Sequence, residues 1–479
     1  MLEHHKILTG YDPHGTVYDA QNYVLRKIAS QKISQTKKLY SLYQKHTLKK
    51  MGIVETEIFT ETPDLILKHK KHIISYPHEW TVSMFKQATL FHLNLLIELD
   101  DYNLTLKDAL PNNIVFDFYN SIFVDFLSLI PKDELATEDW LIQISKKNKK
   151  FFHTIFDEMF FPYFLVPYIM MSRGDYAQAR HILLEHACNI NPQKPSWNML
   201  LEKSVHRTRM QRYTETLKLY FMLWLDKKLS LQQFCKKLHN FLEIKKIAPS
   251  ASHYSSYYEE KNENLSFVPT PQWHDKQKNV YAVLNAEKPQ RVLDLGANTG
   301  WFSILAAKQG AEVIATDIDE ASINQLFLYT QKQQLPILTL LLPFENLTKK
   351  TFGLTQNDPC YEEKNFGKNP IFLAATDRLQ SDMVLCLALI HHLILGSGHN
   401  LVDVIQTLSD LCNKTLVLEF VSIDDPLIVN NQSFFKNITK HSSETYNLDL
   451  VIKAGLNHFR TYEIVGSHPA TRKLIIFKK

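Results

Sequence analysis

A short segment in the last third of the chain combines residue types that bind nucleoside ligands. The chain has 13 glycines among 479 residues, yet Gly296, Gly300 and Gly310 fall close together. Residues 292–300 read as an apolar strand followed by a turn and a helix, and the first N–H groups of a helix have no partner within it. The missing glycine side chains let a ligand lie against this backbone. We therefore expect a ligand site at this loop.

Two carboxylates beside the loop indicate which ligand it binds. Asp317 ends the next predicted strand, 21 positions after Gly296, and an acid at this place can bind both hydroxyls of a ribose. Asn298 stands where the GxGxxG loop of dinucleotide-binding proteins has its middle glycine, which lets the backbone meet a pyrophosphate. Asp294 adds a negative charge just before the loop, which suits the ammonium group of S-adenosylmethionine better than a pyrophosphate. These residues favour a methyl donor over NAD.

The alternation of strands and helices after residue 290 predicts the scaffold of this site. Such a βαβ pattern indicates a parallel sheet covered by helices on both faces. The tail reads as a closing hairpin, so we expect an α/β, Rossmann-like sheet of seven strands that are mostly parallel. The strands are predicted at 291–295, 311–317, 336–342, 382–389, 415–421, 458–466 and 472–479.

Residues 292–300, the acid at the end of the second strand and residues 382–393 resemble the motifs of class I S-adenosylmethionine-dependent methyltransferases. The resemblance implies that S-adenosyl-L-methionine is the cofactor, that Asp317 contacts its ribose and that Asn346 lies near its adenine. It also implies that residues 387–391 form the wall that faces the methyl group. On this interpretation the donor-binding residues are Asp294, Gly296, Asn298, Gly300, Asp317, Asn346 and Leu387.

His391 and His392 follow the fourth predicted strand and are the candidate catalytic residues. A neutral imidazole at the ligand edge of the sheet could take a proton from an oxygen or nitrogen nucleophile, since its pKa is near neutral. Glu419, at the end of the next strand, reaches the same edge and is a second candidate. Structural roles for these side chains stay open, because methyl transfer can proceed by alignment of the reactants without a base.

The N-terminal part carries a second group of residues whose spacing is typical of chemistry. Asp108 is followed five positions later by Asn113, and a predicted β hairpin then ends at Asp125. The spacing resembles that of protein and aminoglycoside kinases, in which it supplies a catalytic Asp and two magnesium ligands. Lys27, on a predicted third strand, would be the phosphate-binding lysine. ATP, with Mg²⁺ at Asn113 and Asp125, is therefore a candidate ligand of this part.

Departures from the kinase pattern favour a kinase-like domain without phosphotransfer activity. Leu106 stands where the motif usually has His, and residues 20–54 contain no Asp or Glu that could pair with Lys27. The Asp–Asn spacing also fits a solvated turn, since Asp, Pro and Asn favour turns. Apart from Mg²⁺ at a bound ATP, the sequence shows no spacing typical of a metal site.

The chain as a whole resembles a bacterial family of two-part methyltransferases described as nodulation-protein-like. The shared motifs lie at residues 12–15, 76–80, 106–113, 124–126, 387–393 and 419–426. The resemblance implies three parts: an α+β kinase-like domain at 1–150, a helical connector and linker at 151–265, and a methyltransferase domain at 266–479.

Composition narrows the other functional classes. The net charge of +4 is too small to indicate a nucleic-acid or membrane partner, and the Asn/Asp-Pro-Pro-aromatic run of nucleic-acid methyltransferases is missing. The five cysteines include no CxxC pair, which indicates free thiols in a reducing compartment. Charges and prolines interrupt the most apolar stretch, residues 151–171, so we expect a pair of buried helices there and no transmembrane segment. The N-terminus lacks the apolar core of a secretion signal, so we expect a cytoplasmic protein. The sequence does not indicate its oligomeric state.

The sequence thus predicts a transferase that moves a methyl group from S-adenosylmethionine to an acceptor by direct displacement. The acceptor is a small molecule, a glycan or a protein. Residues 345–380 and the tyrosines Tyr254, Tyr257 and Tyr258 are expected to shape its pocket, although the tyrosines could equally pack. Two alternatives stay open: a protein that senses nucleotides without turnover, and a bifunctional kinase–methyltransferase.

Overall fold

The structure is a computed structural model, and its described residues form two compact units. The N-terminal unit contains those up to residue 249, and the C-terminal unit contains those from residue 252 onward. The helices predicted as a connector belong to the N-terminal unit. Tyr254, Tyr257, Tyr258 and residues 348–372 lie outside the described residues. The described ranges are 6–7, 14–144, 151–188, 194–202, 207–226, 228–249, 252, 267–347, 373–442 and 444–479.

An antiparallel sheet of five strands opens the N-terminal unit. The strands are β1 (Lys6–Ile7), β2 (Gly15–Asp19), β3 (Tyr23–Ile28), β4 (Thr56–Thr60) and β5 (Ile66–Lys70). They lie in the order β1–β2–β3–β5–β4, and helix α1 (Ile33–Lys45) stands between β3 and β4 in the sequence. Leu25 of β3 and Ile66 of β5 pack together in a small apolar core. The predicted third strand and the helix after it are confirmed.

A long buried helix and two short strand pairs complete the first part of this unit. Helix α2 (Val82–Asp100) begins at Thr81, whose hydroxyl accepts the N–H of Met84, a favourable N-cap. The strands that follow are β6 (Leu104–Leu106), β7 (Ile114–Asp117), β8 (Asn120–Phe123) and β9 (Leu129–Pro131). β6 pairs with β9, and β7 pairs with β8. The hairpin predicted before Asp125 is therefore present.

The apolar stretch after residue 150 forms one continuous helical run, where the sequence had predicted a pair of helices. The remaining helices of the unit are α3 (Asp139–Ile144), α4 (Phe151–Ile155), α5 (Val166–Ser172), α6 (Tyr176–Cys188), α7 (Arg209–Asp226) and α8 (Leu231–Glu243). A π-helix (Phe156–Leu165) joins α4 to α5 without a break. Its wide turns accommodate Pro162, which has no N–H to donate. Among the described residues, none of the helices combines the length and apolarity needed to cross a bilayer.

A sheet of seven strands forms the centre of the C-terminal unit. Its strands are β10 (Arg291–Leu295), β11 (Glu312–Asp317), β12 (Ile337–Leu341), β13 (Ser381–Cys386), β14 (Cys412–Val421), β15 (Thr461–Gly466) and β16 (Arg472–Lys478). The order is β12–β11–β10–β13–β14–β16–β15, and β16 alone runs against its neighbours. This confirms the predicted Rossmann-like sheet. The chain order reverses beside β10, so a ligand crevice is expected at the carboxyl ends of β10 and its neighbours.

Helices pack on this sheet and enclose its core. They are α9 (Asp275–Glu287), α10 (Trp301–Lys308), α11 (Glu320–Gln333), α12 (Ala375–Arg378), α13 (Leu401–Leu411), α14 (Pro426–Asn430) and α15 (Leu448–Leu456). Trp273, Trp301 and Leu305 lie in one buried cluster with the strand residues Val313 and Leu385. Strands β10 to β14 are buried along most of their length, as expected of a parallel sheet, while the edge strand β15 is largely exposed. Sequence reasoning missed α9 and α15, whose apolar periodicity is short.

Candidate functional site

The glycine loop after β10 has the tight turn that the sequence predicts. Gly296, Asn298 and Gly300 have φ angles of +70°, +54° and +85°. Glycine adopts this left-handed region freely, and asparagine is one of the few other residues that visit it. A Cβ atom at Gly300 would lie 2.4 Å from the side chain of Leu326. The asparagine at the middle position therefore keeps the loop conformation, while a larger residue at Gly300 would displace Leu326.

Asp317 holds this loop from the end of β11. Its Oδ2 atom accepts the N–H of Asn298 at 2.7 Å, and its Oδ1 atom accepts the N–H of Asp319 at 2.8 Å. Two further N–H groups of the loop donate to the carbonyl of Thr316 at 2.9 Å. The acid predicted to bind ribose thus lies directly beside the loop. Each carboxylate oxygen has a second lone pair that a ribose hydroxyl could use.

Asp294 lies on the other side of the loop, buried in strand β10. The hydroxyl of Ser303, in helix α10, donates to Asp294 Oδ2 at 2.6 Å. Burial raises the pKa of Asp294 to about 6, and the Asp317 carboxylate acts in the same direction. Burial also raises the pKa of Asp317. Within the described residues neither carboxylate has an ion-pair partner, so the pair favours a ligand with a positive charge and hydroxyl donors.

Lys276, at the start of α9, is a site residue that sequence reasoning missed. Its Nζ atom donates to Glu419 Oε2 at 2.7 Å, and the hydroxyl of Ser467 donates to Glu419 Oε1 at 2.5 Å. The Nζ atom also lies 5.2 Å from the ring centroid of Phe302, in the first turn of α10. Its charge acts to lower the pKa of Asp294. Both oxygens of Glu419 are engaged, which favours its structural role over the role of proton acceptor.

His391 and His392 lie in one helical turn after β13, with ring centroids 4.2 Å apart. His391 is buried, and the ring of His392 lies 5.4 Å from that of Phe435. Burial lowers the pKa of His392 to about 4 and that of His391 well below its usual range. Both rings are therefore neutral at neutral pH and are weak proton acceptors. The assignment of either ring as a base stays a prediction.

The segment predicted to face the methyl group lies against the glycine loop. A Cβ atom at Gly296 would lie 3.4 Å from the side chain of Leu389. Leu387 directly follows β13 and is buried. Asn346 ends a short 3-10 helix (Phe344–Asn346) after β12. The structure therefore places both positions after the carboxyl ends of strands in the same sheet, and their contacts with the donor stay predictions.

Comparison with known proteins identifies this part of the chain. Residues 273–447 match the model of a family described as methyltransferase domain. The C-terminal unit contains a methyltransferase domain. Over 442 residues the chain is 24% identical to the nodulation protein NoeA of Rhizobium meliloti (strain 1021), a match that covers 87% of this chain and 85% of NoeA. That similarity extends across both units, in agreement with a two-part methyltransferase.

Two solved structures are similar to parts of the chain. The bifunctional kinase-methyltransferase WbdD is 16% identical with a TM-score of 0.30, over 44% of this chain and 42% of WbdD. The magnesium protoporphyrin IX methyltransferase ChlM from Synechocystis PCC 6803, with bound SAH, is 15% identical with a TM-score of 0.28, over 47% of this chain and 97% of ChlM. The chain spans less than half the length of WbdD. Scores of this size assign neither an activity nor a ligand.

Outside the methyltransferase domain, the predicted nucleotide-site residues have partners within the N-terminal unit. Asp125 Oδ1 accepts from Arg26 Nη1 at 2.9 Å. Lys27 instead donates to Asp64 at 2.6 Å, in a half-exposed ion pair. Neighbouring residues of a strand point to opposite faces. Arg26 therefore lies beside Asp125, and the role of Lys27 as a phosphate-binding lysine stays a prediction.

Asp108 and Asn113 flank the short connection before the β7–β8 hairpin. The N–H of Asp108 donates to the hydroxyl of Ser128 at 3.0 Å, and the N–H of Val124 donates to the carbonyl of Asn113 at 2.8 Å. These bonds bring both residues to the segment that contains Asp125, and their role in a nucleotide site stays a prediction. In the part of the chain that the structure describes, no group of three or more His, Cys, Asp or Glu residues could hold a metal ion.

Proposed function

We propose that the chain is an S-adenosylmethionine-dependent methyltransferase that binds its donor at the glycine loop. The observation that carries this proposal is the pair of carboxylates of Asp294, which is buried, and Asp317, which is partly buried; both have only neutral hydrogen-bond donors among the described residues. The donor has an ammonium group and two ribose hydroxyls, which supply the charge and the hydrogen bonds that these carboxylates lack. NAD fits less well, because a pyrophosphate beside Asp294 would repel its charge.

Different residues of the site would contact different parts of the donor. Asp317 would accept from the ribose hydroxyls, Asp294 would face the ammonium group, and Asn346 would lie near the adenine. Lys276 would bind the donor's carboxylate, because its ammonium group lies beside the first turn of α10. The N–H groups of that turn also attract an anion.

Methyl transfer then depends on how the site aligns an acceptor. When bound, the donor supplies a methyl group activated by its sulfonium charge. The acceptor nucleophile would form a bond to that carbon as the carbon–sulfur bond breaks and its electron pair stays on the sulfur, and a neutral acceptor would release its proton to water. Leu387 and His391 would form the wall beside the methyl group, and the neutral ring of His392 would accept a hydrogen bond from the nucleophile.

We further propose that the acceptor is a small molecule, a glycan or a protein and that the reaction takes place in the cytoplasm. Among the described residues, Cys235, Cys386 and Cys412 are buried free thiols. Free thiols are typical of a reducing compartment. The coupling of this activity to kinase activity is the alternative, and one contact argues against it.

That contact is the ion pair between Arg26 and Asp125. For the N-terminal unit we propose a kinase-like fold without phosphotransfer. The antiparallel sheet with a helix after its third strand, and the hairpin before Asp125, support the fold. The guanidinium group of Arg26 already neutralises the carboxylate that would hold Mg²⁺, and displacing it would leave a mostly buried cation without that carboxylate.

Calorimetric titration with S-adenosylhomocysteine tests the donor site. We expect the wild-type chain to bind it and Asp317→Ala to bind at least about 100-fold more weakly, since two charge-assisted hydrogen bonds of about 1.5 kcal/mol each are lost. Asp403→Ala, which removes an exposed acid of α13, is the matched control and should bind as the wild type does. No binding by the wild-type chain would refute the donor proposal. Unchanged binding by folded Asp317→Ala would refute the ribose contact.

A further inference from the structure

Helix α7 in the N-terminal unit presents an apolar face to solvent. Large apolar side chains recur along it, each with an exposed fraction between 40% and 77%. Soluble proteins expose single apolar side chains routinely, but contiguous exposed apolar patches mark interaction sites. We call this set of side chains the exposed stripe: Met210, Tyr213, Leu217, Tyr220, Phe221, Trp224 and Leu225.

The opposite side of α7 fixes the helix to its unit. Leu219 and Leu223 are buried, and Arg173 donates to Glu215 at 2.9 Å and to the hydroxyl of Thr216 at 3.2 Å. The stripe therefore faces outward on an anchored helix. With about 100° of rotation per residue, the stripe covers an arc of about 140° around the helix. Such an arc is wider than the narrow two-position seam of a coiled coil.

Cations border the exposed stripe on both sides and at its end. Arg209 and Lys218 lie at the two edges of the arc, Lys228 follows the last turn, and all three are exposed. The guanidinium carbon of Arg209 lies 5.6 Å from the ring centroid of Tyr213, and Lys228 Nζ lies 5.6 Å from that of Trp224. The surface is thus apolar along its middle and positive at its margins.

The acids of α7 do not offset these charges. Glu215 and Asp226 lie on the inner side of the helix, where they pair with Arg173 and Lys237. A second copy of the chain would therefore bring Arg209 and like cations together without opposing acids, which is unfavourable. An anionic surface meets the same cations with opposite charge.

We propose that α7 lies on an anionic lipid surface, with the exposed stripe at the boundary between headgroups and acyl chains. Helices that bind membranes in this way carry Trp, Phe and Leu on one face and Lys or Arg beside it. Long cationic side chains can reach the phosphate groups while their stems stay on apolar surface. This attachment would be peripheral and is independent of the donor site.

Vesicle flotation with the full chain tests the proposal. One set of vesicles contains phosphatidylcholine alone, and the other adds phosphatidylglycerol. We expect at least about tenfold tighter binding to the anionic vesicles, and a loss of at least about tenfold for Leu217→Gln/Trp224→Gln, since apolar area and surface charge both drive such binding. Val402→Gln/Ile464→Gln changes two similarly exposed apolar side chains of the C-terminal unit and should bind as the wild type does.

A charge variant separates the two contributions. Arg209→Glu/Lys218→Glu should abolish the preference for anionic vesicles, and added salt should weaken wild-type binding. The proposal is wrong if the wild-type chain floats with neither vesicle, or binds both equally, or if Leu217→Gln/Trp224→Gln floats unchanged. It is also wrong if the wild-type chain binds no vesicle but forms dimers, and Leu217→Gln/Trp224→Gln dissociates those dimers. A second copy of the chain would then cover the exposed stripe. Circular dichroism checks that each variant is folded.

Discussion

The two units of the molecule both place carboxylates at a candidate ligand site, but they treat the charge differently. In the methyltransferase domain, Asp294 accepts from a serine hydroxyl and Asp317 accepts from two backbone N–H groups. In the N-terminal unit, Asp125 accepts from the guanidinium group of Arg26. The charge of a carboxylate that has only neutral donors is available to a cationic ligand, whereas the charge of a paired carboxylate is neutralised by its partner.

The pKa values of the acids follow the same division. Burial raises the pKa of Asp294 to about 6. In the N-terminal unit, the ring of His72, whose Nδ1 atom lies 3.5 Å from the carboxylate, and the hydrogen bond from Lys70 lower the pKa of Asp117 to about 2. The residue type is the same in both places, so its neighbours decide whether an aspartate belongs to a ligand site or to the structure.

Removal of the Asp125 carboxylate tests whether this acid has a structural role. Its effect should be larger than those of the substitutions at Asp294, Lys276 and His92. We expect Asp125→Ala to lower the free energy of unfolding by about 2 kcal/mol, because the mostly buried Arg26 loses the carboxylate that neutralises it. Urea denaturation measures this loss. The double variant Arg26→Met/Asp125→Leu should regain most of the stability, since it removes the buried charge as well.

Titration with ATP and Mg²⁺ tests whether Asp125 is a structural partner of Arg26 or a metal ligand. If the wild-type chain bound ATP with Mg²⁺ and Asp125→Ala did not, while both were equally stable, Asp125 would be a metal ligand and not half of a structural ion pair. The bifunctional alternative would then replace the kinase-like fold without activity.

The raised pKa of Asp294 predicts that donor-site affinity depends on pH. At pH 5 the carboxyl is mostly protonated and at pH 7 it is mostly ionised, and only the ionised form attracts the ammonium group of S-adenosylhomocysteine. With a pKa of about 6, affinity should rise about tenfold between these pH values. Calorimetry at both values measures the change, and Asp294→Asn should flatten it. An equally steep dependence in that variant would assign the proton to another group.

The same shift has the opposite sign for stability without ligand. The folded-state pKa of Asp294 lies above its usual value, so this group stabilises the folded chain most below about pH 4 and the contribution is lost as the pH rises through about 6. Ligand affinity and unliganded stability should therefore move in opposite directions over this range. That opposition distinguishes a group that faces the ligand from one that is only buried.

Lys276 offers a smaller and more selective test. Lys276→Met should weaken the binding of S-adenosylhomocysteine by about fivefold, the size of one partly exposed charge pair, and leave methylthioadenosine, which has no carboxylate, unaffected. Lys278→Met changes an exposed lysine of the same helix and is the control. Equal loss for both ligands would indicate a general disturbance through Glu419 and not a contact with the carboxylate.

Local patterns explain why the sheet and the glycine loop were predictable. Apolar strands of five to ten residues mark β10 to β14, and Gly296, Asn298 and Asp317 lie on two adjacent strands with their loop. Lys276 and Glu419 are separated by 143 positions, so no local pattern predicts their contact. The contact of Arg26 with Asp125 depends on which face of β3 is turned toward Asp125, and a register error of one residue reverses that face.

Tertiary packing overrode sequence signals at one further place. Pro162 and Pro167 predict a break in the helix after residue 150. The structure keeps the helical run because Phe160, Phe164 and Tyr168 are buried along it. Burial of three aromatic side chains outweighs the lost N–H bonds.

A buried histidine in the N-terminal unit provides the smallest predicted effect. The ring of His92, in α2, lies among Phe123, Phe160 and Phe164, and neither ring nitrogen has a hydrogen-bond partner in the described residues. His92→Leu should raise the unfolding free energy at pH 7 by about 0.5 to 1 kcal/mol, because it removes two buried polar atoms without partners. Thermal unfolding measures the gain, and binding of S-adenosylhomocysteine should not change.

The low pKa of His92 determines how the effect of His92→Leu on stability changes with pH. Burial lowers the pKa of His92 to about 3, so between about pH 6.5 and pH 3 the unfolded chain binds a proton that the folded chain excludes. The native state is therefore penalised increasingly as the pH falls through this window, and the stability advantage of His92→Leu should widen from pH 7 to pH 5. A constant difference would mean that the ring takes up a proton as readily in the folded chain as in the unfolded chain. His92 would then have a polar partner in the folded chain. Its surroundings would differ less from the donor site of the methyltransferase domain, where charged groups are held in the fold.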